Sequence, residues 1–196
     1  MSSADPSQSR RFKLPKLYKN LLLLAIVIGP LWWLLLTDDG RRRTDLAMLE
    51  LFGKPTLLLN LQALDPQFSE SQFMSLYPEL DWQCQARSTE YGDRICYTRI
   101  GVFNDVPADY VTLFFRGPGI NALKLVYRPR YHDFLRGELI HQLGSGQSRN
   151  SGAVLSWNTD HGFILIPNAV SGNEEAALLW LSPAQMAQND TASGKL

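Results

Sequence analysis

Residues 110–127, YVTLFFRGPGINALKLVY, contain two strand patterns separated by turn residues. The runs 110–116 and 122–127 are rich in β-branched, aromatic and aliphatic side chains, which favour strands. Between them, Gly117-Pro118-Gly119 is typical of a tight turn. We therefore predict an antiparallel hairpin here, and the remaining elements are assigned outward from it.

Further strand patterns lie on both sides of this hairpin. They cover residues 57–64, 82–86, 95–102, 154–158, 163–166 and 177–181. Residues 145–152 are rich in glycine and serine and are expected to form a connecting loop. Strands that follow one another with short turns between them predict an antiparallel meander.

Three short helices are predicted around the strands. The first is capped by Thr44 or Asp45. The second follows a capping-box pattern, Ser69 with Gln72 three residues later. The third covers residues 131–143, where leucines recur every four residues. Helices and strands are segregated along the chain, so the predicted fold class is α+β, with short helices packed on one antiparallel sheet.

A run of apolar residues precedes this domain. Residues 21–37, LLLLAIVIGPLWWLLLT, carry no charge. At 1.5 Å per residue a helix of this length spans roughly 26 Å, close to the thickness of a bilayer core. The run is longer than the apolar part of a signal peptide, and no small-residue cleavage site follows it. We therefore predict an uncleaved transmembrane signal anchor that crosses the lipid bilayer once.

The charges beside this run predict its orientation. Five cations lie within residues 1–20, against three at Arg41, Arg42 and Arg43. Since Lys and Arg next to a span are retained on the cytoplasmic side, the N-terminus is expected inside. The expected location is the inner membrane, with the folded domain in the periplasm.

These assignments divide the chain into five parts. They are a cytoplasmic basic segment (1–20), the anchor (21–37), a linker (38–44), an extracytoplasmic α+β domain (45–183) and a mobile tail (184–196).

The two cysteines, Cys84 and Cys96, lie on neighbouring predicted strands. If the loop between the strands centres near Glu90, the cysteines lie opposite each other, at a separation that a disulfide can close. The alternative is a pair of buried free thiols. A disulfide requires an oxidising compartment, so this prediction depends on the predicted orientation.

Five cations cluster around one strand end and the start of the third helix. They are Arg116, Lys124, Arg128, Arg130 and Arg136. Such a group can bind a carboxylate, a lipid headgroup or a glycan phosphate. The alternative is a solvated surface on which Asp133 and Glu138 pair with these cations.

Other site chemistries have little support in the sequence. His132 and His141 lie nine residues apart on one predicted helix and therefore on opposite sides of it, so no metal site is expected. No catalytic motif and no cofactor motif is found. Beyond residue 20, 14 basic and 18 acidic residues remain. This acidic balance argues against a nucleic-acid partner.

Residues 134–181 resemble a known type of repeat. The helix ending Gln142-Leu143-Gly144, then Trp157, Gly162-Phe163 and Leu179-Trp180, is similar to one helix-plus-meander repeat of extracytoplasmic domains. These domains are typified by β-lactamase-inhibitor proteins and the SmpA/OmlA assembly lipoproteins. The chain departs from the lipoproteins because it has a membrane helix in place of a lipidated cysteine. The resemblance implies a non-catalytic role in protein binding or envelope assembly.

The favoured hypothesis is an inner-membrane protein whose periplasmic domain binds another envelope protein, as an accessory or assembly factor. The alternative is a membrane-anchored enzyme, such as a hydrolase acting on envelope glycans or peptides. A deep pocket lined by ionisable groups favours the enzyme, and an exposed apolar groove or sheet edge favours the binding protein.

Overall fold

The computed structural model describes residues 15–171 and 174–193. The chain divides into two compact units, Met1–Arg43 and Thr44–Leu196. Helix α1 (Lys16–Leu36) contains the apolar run. By length and composition its stretch Lys16–Leu34 is able to cross a membrane, and none of that stretch is buried within the chain. The cations within residues 1–14 lie outside the described residues.

Helix α2 (Asp38–Leu51) begins earlier than predicted. The segment 38–44, expected as a linker, is helical, so the predicted cap near its end is wrong. Asp39 lies in the first turn, where a carboxylate interacts favourably with the helix dipole. Its carboxylate accepts hydrogen bonds from Arg42 at 3.0 Å and from Arg43 at 2.8 Å. These i,i+3 and i,i+4 pairs stabilise the early helical turns.

The second unit contains a large sheet. Its described strands are β1 (Thr56–Leu57), β2 (Gln83–Thr89), β3 (Gly92–Arg99), β4 (Val102–Phe103), β5 (Val106–Arg116), β6 (Gly119–Tyr127), β7 (Gln147–Arg149), β8 (Val154–Asn158), β9 (Phe163–Pro167) and β10 (Ala176–Leu181). The main path, β2-β3-β5-β6-β10-β9-β8-β7, is antiparallel throughout. At one end β4 pairs with the start of β5, and β1 pairs with β4 in parallel. The α+β class and the hairpin at 110–127 are confirmed.

The sheet consists of two halves with the same order of elements. Helix α3 (Glu70–Leu76) precedes β2, β3, β5 and β6, and helix α4 (His132–Leu143) precedes β7, β8, β9 and β10. The last strands of the two halves, β6 and β10, lie side by side at the centre. Both helices agree closely with their predicted positions, and the predicted capping box of α3 is present.

One face of the sheet carries the main core. Alternate residues of the central strands, such as Val111, Leu123 and Leu178, are fully buried in one cluster. Leu135 and Leu139 of α4 belong to the same cluster, as predicted from their spacing. Burying side chains of this size contributes about 1.5–3 kcal/mol each, which makes this face the principal source of stability.

The segment 57–64 is not the continuous strand that was predicted, because residues 61–63 form a bend and a turn. Only Thr56–Leu57 pairs as a strand. Burial still alternates, with Leu57 and Leu59 buried and Leu58 exposed. The side chain of Asn104 donates to the carbonyl of Leu59 at 2.7 Å and accepts from its N–H at 3.0 Å. A side-chain amide thus takes the place of a neighbouring strand.

Two further segments differ from the predictions. The expected loop 145–152 contains β7, which pairs with β8 at the edge of the sheet. The expected mobile tail forms helix α5 (Pro183–Ser193), and residues 194–196 lie outside the described part. Met186 of α5 is only 6% exposed and packs with Phe114 on the second face of the sheet. This apolar contact stabilises α5, although the sequence of this segment shows no periodic pattern of apolar residues.

Candidate functional site

The predicted disulfide is present between Cys84 and Cys96. The two cysteines are directly opposite in the β2–β3 register, with Cα atoms 4.0 Å apart. The carboxylate of Glu70 lies close to both sulfur atoms, and it also forms an ion pair with Arg94. Because both sulfurs are bonded to each other, this cluster offers no thiolate to a metal.

The predicted anion-binding cations are already paired within the chain. Arg128 and Arg130 both contact the carboxylate of Asp45 in α2. The hydroxyl of Tyr131, a buried residue, donates to the same carboxylate. Burial, together with this hydrogen bond, raises the pKa of Tyr131 to about 12. An external anion would have to displace Asp45 from this group.

The other three cations lie apart from this group and have their own partners. Lys124 forms an ion pair with Glu175, Arg116 donates to the carbonyl of Glu90 at 2.7 Å, and Arg136 donates to the carbonyl of Asn168 at 3.3 Å. Among the described residues, the ion pairs of Lys124, Arg128 and Arg130 do not involve Asp133 or Glu138, the acidic partners that the sequence suggested. The five cations therefore do not converge on one empty site.

The second face of the sheet is only partly covered. Helix α5 packs over Ile95, Phe114, Ala122 and Leu181 at one end. The next row across the sheet contains Tyr97, Thr112, Lys124 and Leu179, which are opposite one another in register. The side chains of this row are exposed or half-buried. The uncovered half of this face is the candidate functional site.

A groove of about 520 Å³ crosses this surface over β2, β3, β5 and β6. We call it the sheet groove. Ile95 and Phe114, each 8% exposed, supply its apolar base. Tyr97 and Tyr110 supply aromatic rings and hydroxyls. Its remaining lining residues are Gln85, Arg87, Thr89, Arg99, Thr112 and Lys124.

The charges of the sheet groove are all of one sign. Arg87, Arg99 and Lys124 line it, and among the described residues no carboxylate does. Glu175, beside the groove, accepts hydrogen bonds from both Lys124 and Tyr110. The ammonium group of Lys124 and the Tyr110 hydroxyl lower the pKa of Glu175, so that Lys124 is neutralised locally.

The two arginines of the sheet groove have no such partner. Within the described part of the chain, the side chains of Arg87 and Arg99 form no hydrogen bond and no ion pair. Neither residue was among the predicted site cations. Arg87 was expected in the loop between two predicted strands, and Arg99 was expected within the second of these strands. The alternation Ile95, Tyr97, Arg99 along one strand was the signal that puts arginine and tyrosine on a common face.

A second cleft, of about 610 Å³, lies between α4 and the segment 58–62. Its lining is mostly apolar and includes Leu58, which is 65% exposed. Glu138 and His141 are its ionisable residues, and Glu138 accepts a hydrogen bond from Gln142 at 2.7 Å. This cleft has no charge preference comparable with that of the sheet groove.

In comparisons with known proteins, no protein-family model, no curated protein and no solved structure matches this chain. The resemblance of residues 134–181 to envelope assembly domains therefore stays a prediction.

Proposed function

We propose that this chain is a single-pass inner-membrane protein whose periplasmic domain binds another protein of the cell envelope through the sheet groove. The observation that carries the proposal is the combination of Tyr97, Tyr110, Arg87 and Arg99 around one open apolar groove. Tyrosine and arginine are among the residue types that are enriched at the energetically dominant positions of protein interfaces. The proposed role is that of an accessory or assembly factor.

The membrane location is part of the same proposal. Support comes from α1, because none of its candidate span, Lys16–Leu34, is buried within the chain. The disulfide supports an oxidising compartment for the domain. The cations on the N-terminal side of the span support a cytoplasmic N-terminus.

The enzyme alternative receives no specific support from the sheet groove. Glycoside hydrolysis needs a pair of carboxyl groups across the scissile bond. The sheet groove is lined by cations and tyrosines, and Glu175, a carboxylate beside it, is held by Lys124 and Tyr110. Its chemistry suits the recognition of a ligand better than acid–base catalysis.

Site-specific photocrosslinking in intact cells tests the proposal. A photoreactive residue is placed at Thr112, in the sheet groove, and separately at Glu79, which is exposed and does not line the groove. We expect a discrete protein adduct from position 112 that is absent from position 79. Equal adducts at both positions, or none at position 112, would contradict the proposal.

Topology is tested separately with reporters fused to the C-terminus. Alkaline phosphatase is active only after export, and a cytoplasmic fluorescent protein reports the opposite orientation. We expect phosphatase activity alone. Fluorescence without phosphatase activity would show that the proposed orientation is wrong.

A further inference from the structure

We propose that the sheet groove binds an extended acidic segment of its partner, with two carboxylate side chains about six residues apart and an apolar or aromatic side chain between them. This inference rests on the proposed function, because it specifies the chemistry of the protein that the groove binds.

The positions of the two arginines determine the spacing. Ala86 of β2 is opposite Arg94 of β3, and Arg87 lies one residue beyond that pair. Arg99 lies five residues from Arg94 along β3. At 3.3–3.4 Å per residue, Arg87 and Arg99 are therefore roughly 17–20 Å apart along the strands. An extended peptide covers that distance with about six residues.

Charge complementarity identifies the occupant as acidic. Arg87 and Arg99 retain their full hydrogen-bonding capacity, since neither has a partner among the described residues. A guanidinium group binds a carboxylate through two parallel hydrogen bonds. In the part of the chain that the structure describes, no carboxylate lines the groove and competes for these bonds.

The surface between the arginines determines the middle of the segment. Ile95 and Phe114 form an apolar base there, and Tyr97 is 37% exposed above it. A volume of about 520 Å³ is within the range of pockets that enclose a ligand group. An apolar side chain in this position removes the exposed apolar surface of the groove from water.

The chain's own N-terminal segment does not fit this description. Residues 1–14 contain Arg10, Arg11 and Lys13 against Asp5, so their charge is the same as that of the groove. A partner segment is therefore the occupant that the charges favour. An arginine on an edge strand also discourages pairing with the edge strands of other molecules. That role requires a charge, but it does not require a particular distance between two arginines.

The test selects binding peptides from a randomised displayed library, with the full chain in nanodiscs of neutral lipid as the target. The displayed peptides are longer than about six residues, so that they can reach both arginines. We expect the selected peptides to be enriched in paired Asp or Glu residues about six positions apart, with an apolar residue between them. Arg87→Gln or Arg99→Gln should weaken their binding on the order of tenfold. Arg136→Gln, which removes the same charge from α4 on the opposite face, should leave binding unchanged.

A charge-reversed variant keeps the test decisive. With Arg87→Glu and Arg99→Glu together, the same selection should return Lys or Arg at the paired positions. If acidic peptides are still selected on this variant, or if phosphatidylglycerol vesicles displace the peptides from the wild-type protein, the inference is wrong.

A groove-filling variant, Thr112→Trp, separates failure of this inference from failure of the proposed function. Peptides that lose binding in Thr112→Trp but show no acidic enrichment would overturn the acidic-segment inference alone. Peptides that bind equally well to Thr112→Trp would show that the sheet groove is not the binding site, which overturns both proposals.

Discussion

At the scale of single residues, Asn121 holds the end of the sheet to helix α5. Its side-chain amide donates to the carbonyl of Tyr91 and to the side chain of Gln185, both at 2.6 Å. Its amide oxygen accepts from the hydroxyl of Ser182 at 2.7 Å. Asn121, Ser182 and Gln185 are all buried, so each polar group in this network depends on the others.

We predict that Asn121→Ala lowers the free energy of unfolding by about 2–4 kcal/mol, because it leaves several buried polar groups without partners. Urea denaturation of the full chain in detergent, followed by tryptophan fluorescence, measures this change. Asn158→Ala, at an exposed position of β8, serves as the control and should change stability little. Equal stability of the two variants would contradict the role assigned to this network.

The pKa of Tyr131 predicts how stability changes at alkaline pH. Its pKa is raised from the ordinary value of 10.0 to about 12, through burial and the hydrogen bond to Asp45. When the pKa of a group is higher in the folded state, the group's contribution to the free energy of unfolding is fully present at pH values below the unfolded-state pKa. That contribution is lost as the pH rises through the folded-state pKa. We therefore expect the free energy of unfolding to fall between about pH 10 and pH 12.

The comparison that checks this prediction uses Tyr131→Phe. Tyr110 has a pKa of about 12 as well, so both proteins should carry Tyr110→Phe. The alkaline loss of stability should be smaller when Tyr131 is also Phe. An identical pH dependence in the two proteins would mean that Tyr131 does not titrate in this window.

At the scale of elements, α3 shows how a short helix is stabilised by its first residues. The hydroxyl of Ser69 accepts from the N–H of Gln72 at 3.3 Å, and the side chain of Gln72 accepts from the N–H of Ser69 at 2.9 Å. A helix of only seven residues, Glu70–Leu76, is too short to be stable by its own hydrogen bonds. Capping and the burial of Phe73 make up the difference.

Ser69→Ala is predicted to lower the free energy of unfolding by about 1 kcal/mol, since an N-terminal N–H of α3 loses its partner. Ser69→Asp keeps a side-chain acceptor at the same position and should retain most of the stability. The measurement is again urea denaturation of the full chain. If Ser69→Asp is as unstable as Ser69→Ala, capping is not the cause of the effect.

At the scale of the whole molecule, the sheet has one face closed by the main core and a second face closed only in part by α5. The disulfide Cys84–Cys96 joins the edge strand β2 to β3 on the main-core face, opposite to the sheet groove. Edge strands are paired on one side only and are therefore the first to separate. The disulfide keeps Arg87 of β2 in register with the rest of the groove.

We predict that Cys84→Ala combined with Cys96→Ala lowers the free energy of unfolding by about 3 kcal/mol, because the cysteines, separated by 12 positions, close a short loop in the unfolded chain. Reduced wild-type protein should show a similar loss. Alkylation without reductant should leave the mass of the wild-type protein unchanged. A mass increase would show free thiols and would contradict both the disulfide and the oxidising location.

The sequence by itself determined the features that depend on local patterns. Alternating side chains and the turn at Gly117-Pro118-Gly119 predicted the hairpin that became β5 and β6. The capping box at Ser69 and the leucine spacing of residues 131–143 predicted α3 and α4. The spacing of Cys84 and Cys96 predicted the disulfide. Each of these signals lies within a few turns or one hairpin, so neighbouring residues suffice to specify it.

Only the tertiary structure decided how distant segments pair. Asp45 reaches Arg128 and Arg130 across more than eighty positions, which removed two cations from the predicted anion site. The segment expected to be a mobile tail is a packed helix, and the side chain of Asn121 is hydrogen-bonded to Ser182 and Gln185 at its start. The periodicity of the sequence does not reveal these partners. The sheet groove likewise depends on the order of strands, because Tyr110, Thr112 and Lys124 join Arg87 and Arg99 on one surface only when β5 and β6 lie beside the β2–β3 hairpin. Long-range pairing is determined by the summed packing of the whole domain, and a local pattern does not contain that information.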